Sequence, residues 1–269
     1  MPVGTPPLPQ EIERWFASRG WRVRRHQAEM YAADNAGRHA LLVADTGAGK
    51  TLAGFLPTLA AFCPSTGEPV PEGLHTLYIS PLKALAHDVQ RNLVTPVEEM
   101  GLKLRIETRS GDTPSDRKRR QRSRPPNVLL TTPESLSLLL SYPESFELFG
   151  GLQRVVIDEI HAFATGKRGD LLALALSRLQ AISPGLRRAA LSATVADPQS
   201  FREWLAPWGE EDAVELVEGE PGAPPEVEIL LPVEERVPWG GHAATWAIPQ
   251  LYEVIRRNRT TLIFTNTRF

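Results

Sequence analysis

The fold is constrained most by a short glycine-containing segment that joins two apolar runs. The segment reads Ala44-Asp45-Thr46-Gly47-Ala48-Gly49-Lys50-Thr51; it follows Leu41-Leu42-Val43 and precedes a helix-forming run at residues 52–62. Gly47 and Gly49 allow the backbone to curl tightly where a strand passes into a helix. We therefore predict a strand, a glycine loop and a helix in direct succession.

Further apolar runs recur between helix-like stretches. They span residues 40–44, 76–80, 104–109, 128–131, 154–158 and 189–192, and some, such as Val155-Val156-Ile157, are continuously apolar. Strands that are apolar on both faces and alternate with helices are typical of parallel sheets covered on both sides. The predicted fold class is therefore α/β, with a mostly parallel sheet flanked by helices and ligands at the carboxyl ends of its strands.

The glycine loop has the composition of a Walker-type phosphate-binding loop. The backbone N–H groups that we expect to face phosphate oxygens are those of Thr46, Gly47, Ala48 and Gly49. Lys50 is expected to reach the β- and γ-phosphates of ATP, and the Thr51 hydroxyl to ligate Mg2+. Ala44 occupies the position where this motif usually has glycine, which is a modest departure.

The apolar run at 154–158 ends in an acidic pair, Asp158-Glu159, followed by Ile160-His161. At that end of the sheet the Asp158 carboxylate can hold the same Mg2+ through water, and Glu159 can orient or deprotonate the attacking water. Such a pair taken alone is equally a solvated strand end. The phosphate loop upstream favours a site that binds and hydrolyses ATP.

With these two motifs the chain resembles a superfamily two helicase of the DEXH-box kind. Other segments follow that family's order: Arg25-His26-Gln27 resembles the adenine-reading Q motif, 80–85 motif Ia, 131–136 motif Ib, 192–194 motif III and 262–268 motif IV. Residues 167–169 and 235–239 are similar to the large helicase-related group, in particular the bacterial ligase-associated DNA-damage-response DEXH-box helicases. The resemblance implies a RecA-like P-loop NTPase domain and the beginning of a second RecA-like domain.

The resemblance also assigns roles to single residues. Gln27 would read adenine, since its amide can pair with N6 and N7 of that base. His161, together with Ser192 and Thr194, would couple the hydrolysis site to the bound strand. Nucleic-acid contacts are expected from Pro81, Lys83, Thr131, Thr132 and Thr267. Turns of this kind hold phosphates without reading bases, although each residue taken alone is more often a helix cap.

The predicted organisation has four parts. They are N-terminal helices with the Q motif at 1–36, the first RecA-like domain at 37–208, a linker at 209–225 and the incomplete start of the second RecA-like domain at 226–269. In the last part we predict strands at 227–231 and 261–265 and a helix at 249–258. The resemblance places motifs V and VI, with a charge-stabilising arginine, beyond motif IV, so the 269-residue chain alone is expected to bind ATP weakly and to hydrolyse it slowly, if at all.

Charge is distributed unevenly along the chain. Residues 101–125 contain nine Lys or Arg and three Asp or Glu, whereas residues 207–235 contain ten acidic residues and no basic one. The first stretch suits a polyanion, although its basic run at 117–124 lacks interleaved aromatics and is also typical of a solvated face. The single cysteine, the lack of a signal sequence and the lack of a long apolar run predict a cytoplasmic protein without membrane contact. Association with the nucleoid is expected in addition, together with DNA binding.

The function predicted is an ATP-dependent DNA helicase or translocase that uses ATP and Mg2+ and acts on single-stranded DNA and on DNA duplexes or RNA:DNA hybrids. The resemblance implies 3′-to-5′ movement, a role in DNA repair, and an ATP-dependent DNA ligase and a nuclease as partners. Two alternatives remain open. One is a nucleotide-gated nucleic-acid-binding module without processive unwinding; the other is an RNA helicase, because backbone contacts encode sugar and base identity poorly.

Overall fold

The computed structural model describes residues 6–81, 83–164, 166–193, 195–207, 210–222, 226–229 and 247–264, without the side chains of residues 83–88, 90, 91 and 211. The chain divides into two compact units, Met1–Gly222 and Ala223–Phe269. None of the described helices is long and apolar enough to cross a membrane.

The first unit is built on one seven-stranded sheet. Its strands are β1 (His39–Val43), β2 (Thr76–Ile79), β3 (Ile106–Arg109), β4 (Val128–Thr131), β5 (Arg154–Ile157), β6 (Arg187–Ser192) and β7 (Val214–Glu218). Their spatial order is β3-β4-β2-β5-β6-β1-β7, and all neighbouring strands are parallel. Parallel neighbours need crossover connections, which the helices between successive strands provide.

Helices cover both faces of this sheet. In the first unit they are α1 (Gln10–Ser18), α2 (Arg25–Asn35), α3 (Lys50–Ala61), α4 (Lys83–Glu99), α5 (Ser115–Ser123), α6 (Pro133–Leu140), α7 (Ser145–Phe149), α8 (Lys167–Ile182) and α9 (Pro198–Leu205). Side chains of β1 alternate between the two faces: Ala40 and Leu42 join the core under α1 to α4, and Leu41 and Val43 the core under α6 to α9. This alternation is the reason why the strand is apolar throughout.

The predicted α/β architecture is confirmed. All six strands predicted for the first unit are present, with ends within two residues of the predicted ones. The sequence pattern does not predict β7, which lies inside the range 209–225 assigned to the linker. Among the described strands it pairs with β1 alone, at the edge of the sheet, and its buried side chains are Val214 and Val217. Its remaining positions include two glutamates, so the segment reads as acidic surface rather than as strand.

The second unit contains one described α-helix, α10 (Ile248–Arg257), which confirms the helix predicted at 249–258. The strands predicted at 227–231 and 261–265 are not seen in their described parts, 227–229 and 261–264; the rest of both ranges lies outside the described residues. A strand is stabilised by hydrogen bonds to a neighbouring strand, and no described residue of this unit forms one.

Candidate functional site

The glycine loop lies at the carboxyl end of β1, as predicted. β1 ends at Val43 and α3 begins at Lys50, so the loop connects a buried strand directly to a helix N-terminus. Gly47 and Gly49 have φ angles of 82° and 81°, in the left-handed region that favours glycine. A Cβ on Gly49 would also lie 3.1 Å from the Gln27 side-chain nitrogen. The backbone conformation therefore favours glycine at this position, and any larger residue would also have to displace the Gln27 amide slightly.

Lys50 is held by the loop itself. Its Nζ donates hydrogen bonds to the carbonyl oxygens of Ala44 at 2.9 Å and Asp45 at 3.0 Å. Lys50 is only 8% exposed, so its ammonium group is largely shielded from solvent by the loop. Neutral carbonyls are weaker partners for an ammonium group than phosphate oxygens are, because the negative charge of a phosphate adds Coulomb attraction that a carbonyl lacks.

The N-terminus of α2 braces the loop from the other side. Arg24 Nη1 donates to the carbonyl oxygen of Ala48 at 2.7 Å, and His26 Nε2 donates to the same oxygen at 3.0 Å. Gln27 is 4% exposed, and its Oε1 accepts a hydrogen bond from the Arg24 backbone N–H at 3.0 Å. The Gln27 oxygen is therefore engaged at the start of α2, while its nitrogen faces Gly49.

Asp158 follows β5 and lies beside the loop, 7% exposed. Its backbone N–H donates to the carbonyl oxygen of Ile79 at 2.8 Å, and its Oδ1 accepts from the Glu159 N–H at 3.1 Å. Burial is the main cause that raises the pKa of the Asp158 carboxyl; the Tyr78 hydroxyl opposes this effect and the charge of Glu159 adds to it. The charged form of Asp158 therefore needs a nearby cation.

Glu159, His161 and Ser192 are brought together. His161 Nδ1 lies 3.1 Å from Ser192 Oγ and 3.4 Å from Glu159 Oε2. Ser192 ends β6 and is fully buried, so it fixes one end of this polar chain. The fourth residue expected here, Thr194, lies outside the described residues.

A cavity of 620 Å³ unites the two predicted motifs. The predicted site residues that line it are Thr46, Gly47, Gly49, Lys50, Thr51, Asp158 and Glu159. The cavity also extends to Trp15, Arg19 and Trp21, which the motifs do not identify. The sequence feature that could have identified this part of the cavity is the pair of tryptophans shortly before Gln27, because aromatic side chains close to a nucleotide-binding motif can pack against the base of the nucleotide.

The residues at this cavity fit Mg2+ bound together with a nucleotide. Thr51 and Asp158 offer the oxygen ligands that Mg2+ prefers, and both line the same cavity. Over the described ranges there is no group of three or more His, Cys, Asp or Glu side chains suited to a metal. This sparse donor set matches an ion that takes its remaining ligands from phosphates and water.

Three of the residues predicted to contact nucleic acid lie at or just after the carboxyl ends of the neighbouring strands β2 and β4. Ile79 of β2 is in register with Thr131 of β4, so Pro81 and Thr132 follow two neighbouring strand ends. Thr131 is fully buried, and Thr132 caps α6 by accepting a hydrogen bond from the Ser135 N–H at 3.4 Å. At these strand ends, backbone N–H groups are thus better placed to bind nucleic-acid phosphates than the threonine hydroxyls are. The side chain of Lys83 and all of Thr267 lie outside the described part of the chain.

The basic run at 117–124 is largely engaged within the protein. Arg117 and Arg120 of α5 pair with Glu107 of the edge strand β3 at 3.3 and 3.1 Å. The guanidinium carbon of Arg122 lies 4.1 Å from the centroid of the Tyr142 ring. These contacts hold α5 against the sheet, which is the main role that the structure gives to this run.

Comparison with known proteins agrees with this geometry. Residues 24–201 match the family model described as DEAD/DEAH box helicase. The Lhr helicase/probable uracil glycosylase of Mycolicibacterium smegmatis is 41% identical over 71% of this chain and 13% of its own length. The ATP-dependent helicase Lhr-Core of Methanothermobacter thermautotrophicus is 36% identical over 86% of this chain and 28% of its own length. The chain thus spans less than a third of either relative.

Solved structures give the same result. The structure of Mycobacterium smegmatis helicase Lhr bound to ssDNA and AMP-PNP superposes with a TM-score of 0.83 and 31% identity, over 97% of this chain and 34% of that one. The DUF1998 helicase MrfA bound to DNA and AMPPNP gives a TM-score of 0.73 and 25% identity, over 96% of this chain and 35% of that one. These matches confirm the predicted RecA-like fold and the resemblance to the large helicase-related group. Since the family model covers most of the first unit, including both motifs of the cavity, the chain belongs to the DEAD/DEAH box helicase family.

Proposed function

We propose that this chain is the ATP-binding part of an ATP-dependent DNA helicase or translocase. The observation that carries the proposal is the convergence of Lys50, Thr51, Asp158 and Glu159 on one cavity at the carboxyl ends of the strands. Relatives named ATP-dependent helicases support it, as do similar structures bound to DNA and a nucleotide analogue.

Binding of ATP would exchange the partners of Lys50. The ammonium group leaves the carbonyls of Ala44 and Asp45 for the β- and γ-phosphates, while the loop N–H groups face the remaining phosphate oxygens. Thr51 and Asp158 would hold Mg2+, which neutralises phosphate charge when bound. Glu159 lies on the same cavity and orients the attacking water as a general base.

Coupling to the strand is proposed to pass through the polar chain that begins at Glu159. His161 lies within 3.4 Å of both Glu159 and Ser192. A change in the charge around Glu159 would therefore alter the hydrogen bond between His161 and Ser192 at the end of β6. Thr194, two residues further on, completes this proposed element. Gln27 is proposed to contact adenine, which requires its amide oxygen to leave the Arg24 N–H.

The nucleic-acid strand is proposed to run along the turns that contain Pro81, Lys83, Thr131 and Thr132. Backbone N–H groups at the N-termini of α4 and α6 suit phosphates, so the contact would read shape and charge rather than base sequence. A contact with Thr267 is proposed as well. The proposal includes movement along single-stranded DNA in the 3′-to-5′ direction and unwinding of duplexes or RNA:DNA hybrids. It also includes a role in DNA repair, with a DNA ligase and a nuclease as partners.

Two variants test the nucleotide chemistry. In the full-length protein, Lys50→Ala should abolish ATP binding, whereas Glu159→Gln should keep ATP binding and lose hydrolysis, since the amide cannot act as a base. ATP affinity is measured by titration calorimetry and hydrolysis by phosphate release. Lys103→Ala, at an exposed lysine of the same unit, is the control and should change neither quantity. Parental hydrolysis by the Glu159→Gln variant would contradict the assignment of the base.

A strand-displacement assay tests the motor activity. The assay uses the full-length protein, because the 269-residue chain alone is expected to hydrolyse ATP slowly, if at all. It is given duplexes with either a DNA or an RNA loading strand, with a 3′ or a 5′ overhang, in the presence and absence of ATP. We expect displacement that needs ATP, a DNA loading strand and a 3′ overhang. ATP-dependent retention of the strand without displacement would favour a nucleotide-gated binding module, and preference for an RNA loading strand would favour an RNA helicase.

A further inference from the structure

Glu99, the last residue of α4, binds Trp15 of α1 and Arg19, the residue that follows α1, through both carboxylate oxygens. Glu99 Oε2 accepts a hydrogen bond from the indole Nε1 of Trp15 at 2.7 Å and another from Arg19 Nε at 3.2 Å. Arg19 Nη2 donates to Glu99 Oε1, which completes a two-pronged ion pair. Pairs of this geometry fix the direction of the guanidinium plane as well as its position. Glu99 therefore sets where Trp15 and Arg19 lie.

Trp15 and Arg19 in turn position Trp21. The ring centroids of Trp15 and Trp21 are 5.7 Å apart and the two rings are nearly perpendicular, at 89°. The guanidinium carbon of Arg19 lies 5.7 Å from the centroid of the Trp21 ring. Edge-to-face and cation–π contacts of this kind hold an aromatic ring at a defined angle. Trp21 is nonetheless 52% exposed, so much of its ring is free for a further contact.

These side chains form one wall of the nucleotide cavity. Trp15, Arg19 and Trp21 line it together with Lys50 and Asp158. A nucleoside triphosphate carries a flat aromatic base and a strongly charged phosphate chain. The lysine and glycine loop suit the phosphates, whereas an exposed indole beside a guanidinium suits the base, because both stack on flat heterocycles. The cavity volume of 620 Å³ is in the range of nucleotide-sized ligands.

We propose that Glu99 is a positioning residue for the base of the bound nucleotide. Through Trp15 and Arg19 it holds Trp21 at the angle needed to pack against the base, without contacting the nucleotide itself. This inference rests on the proposed ATP-binding function and adds to it a residue from α4 that no nucleotide motif includes.

The test compares two ligands that share the phosphate chain and differ in the base. Affinities for ATP and for inorganic tripolyphosphate are measured by calorimetry, both with Mg2+, for the parental chain and for Glu99→Ala and Glu99→Gln. We expect Glu99→Ala to weaken ATP binding about five- to tenfold, as for the loss of one aromatic contact, and to leave tripolyphosphate binding within about twofold. Glu99→Gln keeps an acceptor for Trp15 but loses the charge that pairs with Arg19, so we expect a smaller effect in the same direction.

Glu98→Ala is the matched control, because Glu98 is an exposed glutamate in the same turn of α4. It should leave both affinities unchanged. A second test is the double variant Trp21→Ala, Glu99→Ala, which should bind ATP no more weakly than Trp21→Ala alone if Glu99 acts through that ring. Because Trp21 is half-exposed, its replacement by alanine should not prevent folding. The Trp21→Ala variant therefore tests whether this side of the cavity binds the base even if Glu99→Ala fails to fold.

The outcomes separate this inference from the proposed function. Unchanged ATP affinity in Glu99→Ala, equal weakening of both ligands, or full additivity in the double variant would overturn the role of Glu99. In each of those cases Lys50→Ala would still abolish binding of ATP and tripolyphosphate alike. A parental chain that binds neither ligand would instead contradict the proposed function, and this inference with it.

Discussion

Arg168 and Glu134 form an ion pair in which Nε of the arginine lies 2.6 Å from Oε1 of the glutamate. The same guanidinium donates to the carbonyl oxygen of Pro81 at 3.0 Å and lies 5.6 Å from the Phe163 ring centroid. Pro81 follows β2, Glu134 is in the first turn of α6, and Phe163 follows the acidic motif. One side chain therefore connects both turns proposed to hold the strand to the segment that carries Glu159.

Replacement of Arg168 by alanine should weaken strand binding more than nucleotide binding. The two turns lose their shared hydrogen-bond donor, while Lys50, Thr51 and Asp158 keep their contacts. We expect the Kd for single-stranded DNA to rise about tenfold, equivalent to about 1.4 kcal/mol, with the Kd for ATP unchanged. Fluorescence anisotropy with a labelled strand measures the first quantity and calorimetry the second.

Lys167→Ala is the control for Arg168→Ala, because it removes an adjacent exposed charge that makes none of these contacts. Arg168→Lys should behave like the alanine variant, since an ammonium group cannot bridge Glu134 and the Pro81 carbonyl in the same planar geometry. If Lys167→Ala weakens strand binding as much as Arg168→Ala does, general electrostatic attraction rather than the bridge explains the loss.

Glu159 is the only non-glycine residue with a positive φ in the described part of the chain, at φ 50° and ψ 50°. A glutamate in this left-handed conformation costs about 1–2 kcal/mol, whereas asparagine adopts it more readily. Glu159→Asn should therefore raise the free energy of unfolding by about 1 kcal/mol and abolish ATP hydrolysis. Urea denaturation of the nucleotide-free protein measures the first effect.

Glu147→Asn is the control for this exchange, because Glu147 lies in helix α7. Asparagine is the poorer helix former, so this variant should be slightly less stable than the parent. A Glu159→Asn protein that is also less stable would show that contacts of the glutamate side chain outweigh its backbone strain.

How far the fold can be predicted from the sequence depends on how local the signal is. The loop between Val43 and Lys50 was predictable because its chemistry and its strand and helix neighbours lie in one short segment. β7 was not, because an edge strand buries few side chains and Glu215 and Glu218 make it resemble solvated surface. Tertiary pairing with β1 decides its structure, and that pairing leaves little trace in the segment itself.

The candidate site shows the same division. Lys50, Asp158 and Glu159 were placed by motifs, and the structure brings them to one cavity. The position of Trp21 in the cavity wall depends on the contact between Glu99 and Arg19, two residues that are 80 positions apart in the sequence. The backbone conformation of Glu159 is likewise set by the chain around it. No spacing rule encodes such contacts.

Gly169 should not tolerate a side chain. A Cβ at this position would lie 2.0 Å from the carbonyl oxygen of Phe163, and backbone atoms cannot move aside as a flexible side chain can. Gly169→Ala should therefore lower the free energy of unfolding by about 1–3 kcal/mol, and displace the start of α8 with Arg168. Gly185→Ala, where a Cβ would have no neighbour within 4 Å, is the matched control and should be nearly neutral. Equal stability of the two variants in urea denaturation would disprove the close approach.

Stability should fall on acidification because of His75, which is buried at the opposite end of the strands. Its Nε2 accepts from Arg154 Nη1 at 2.9 Å and its Nδ1 lies 2.9 Å from Thr76 Oγ1, so the ring is neutral. Burial, and then the charges of Arg154 and Arg187, lower the pKa of His75 to about 3. Asp34 pairs with both arginines, at 2.6 and 3.0 Å, and keeps them beside the ring.

The sign of the effect follows from the lowered pKa of His75. In the unfolded chain this histidine binds a proton below about pH 6.5, whereas the folded protein excludes that proton until about pH 3. The stabilising contribution is therefore complete above pH 6.5 and is lost as the pH falls towards 3, with about 2 kcal/mol lost at pH 5. His26 and His39, whose pKa values burial also lowers, add to the same slope.

His75→Gln isolates this contribution, because glutamine can accept a hydrogen bond and donate another but does not titrate. The variant should be less stable than the parent at pH 8, yet lose about 2 kcal/mol less of its unfolding free energy between pH 8 and pH 5. Urea denaturation at the two pH values measures both numbers. Asp34→Asn should lower the free energy of unfolding at both pH values by up to about 3–5 kcal/mol, since it leaves the two partly buried guanidinium groups of Arg154 and Arg187 without their counter-charge. Parallel pH dependences of the parent and His75→Gln would show that other groups cause the acid sensitivity.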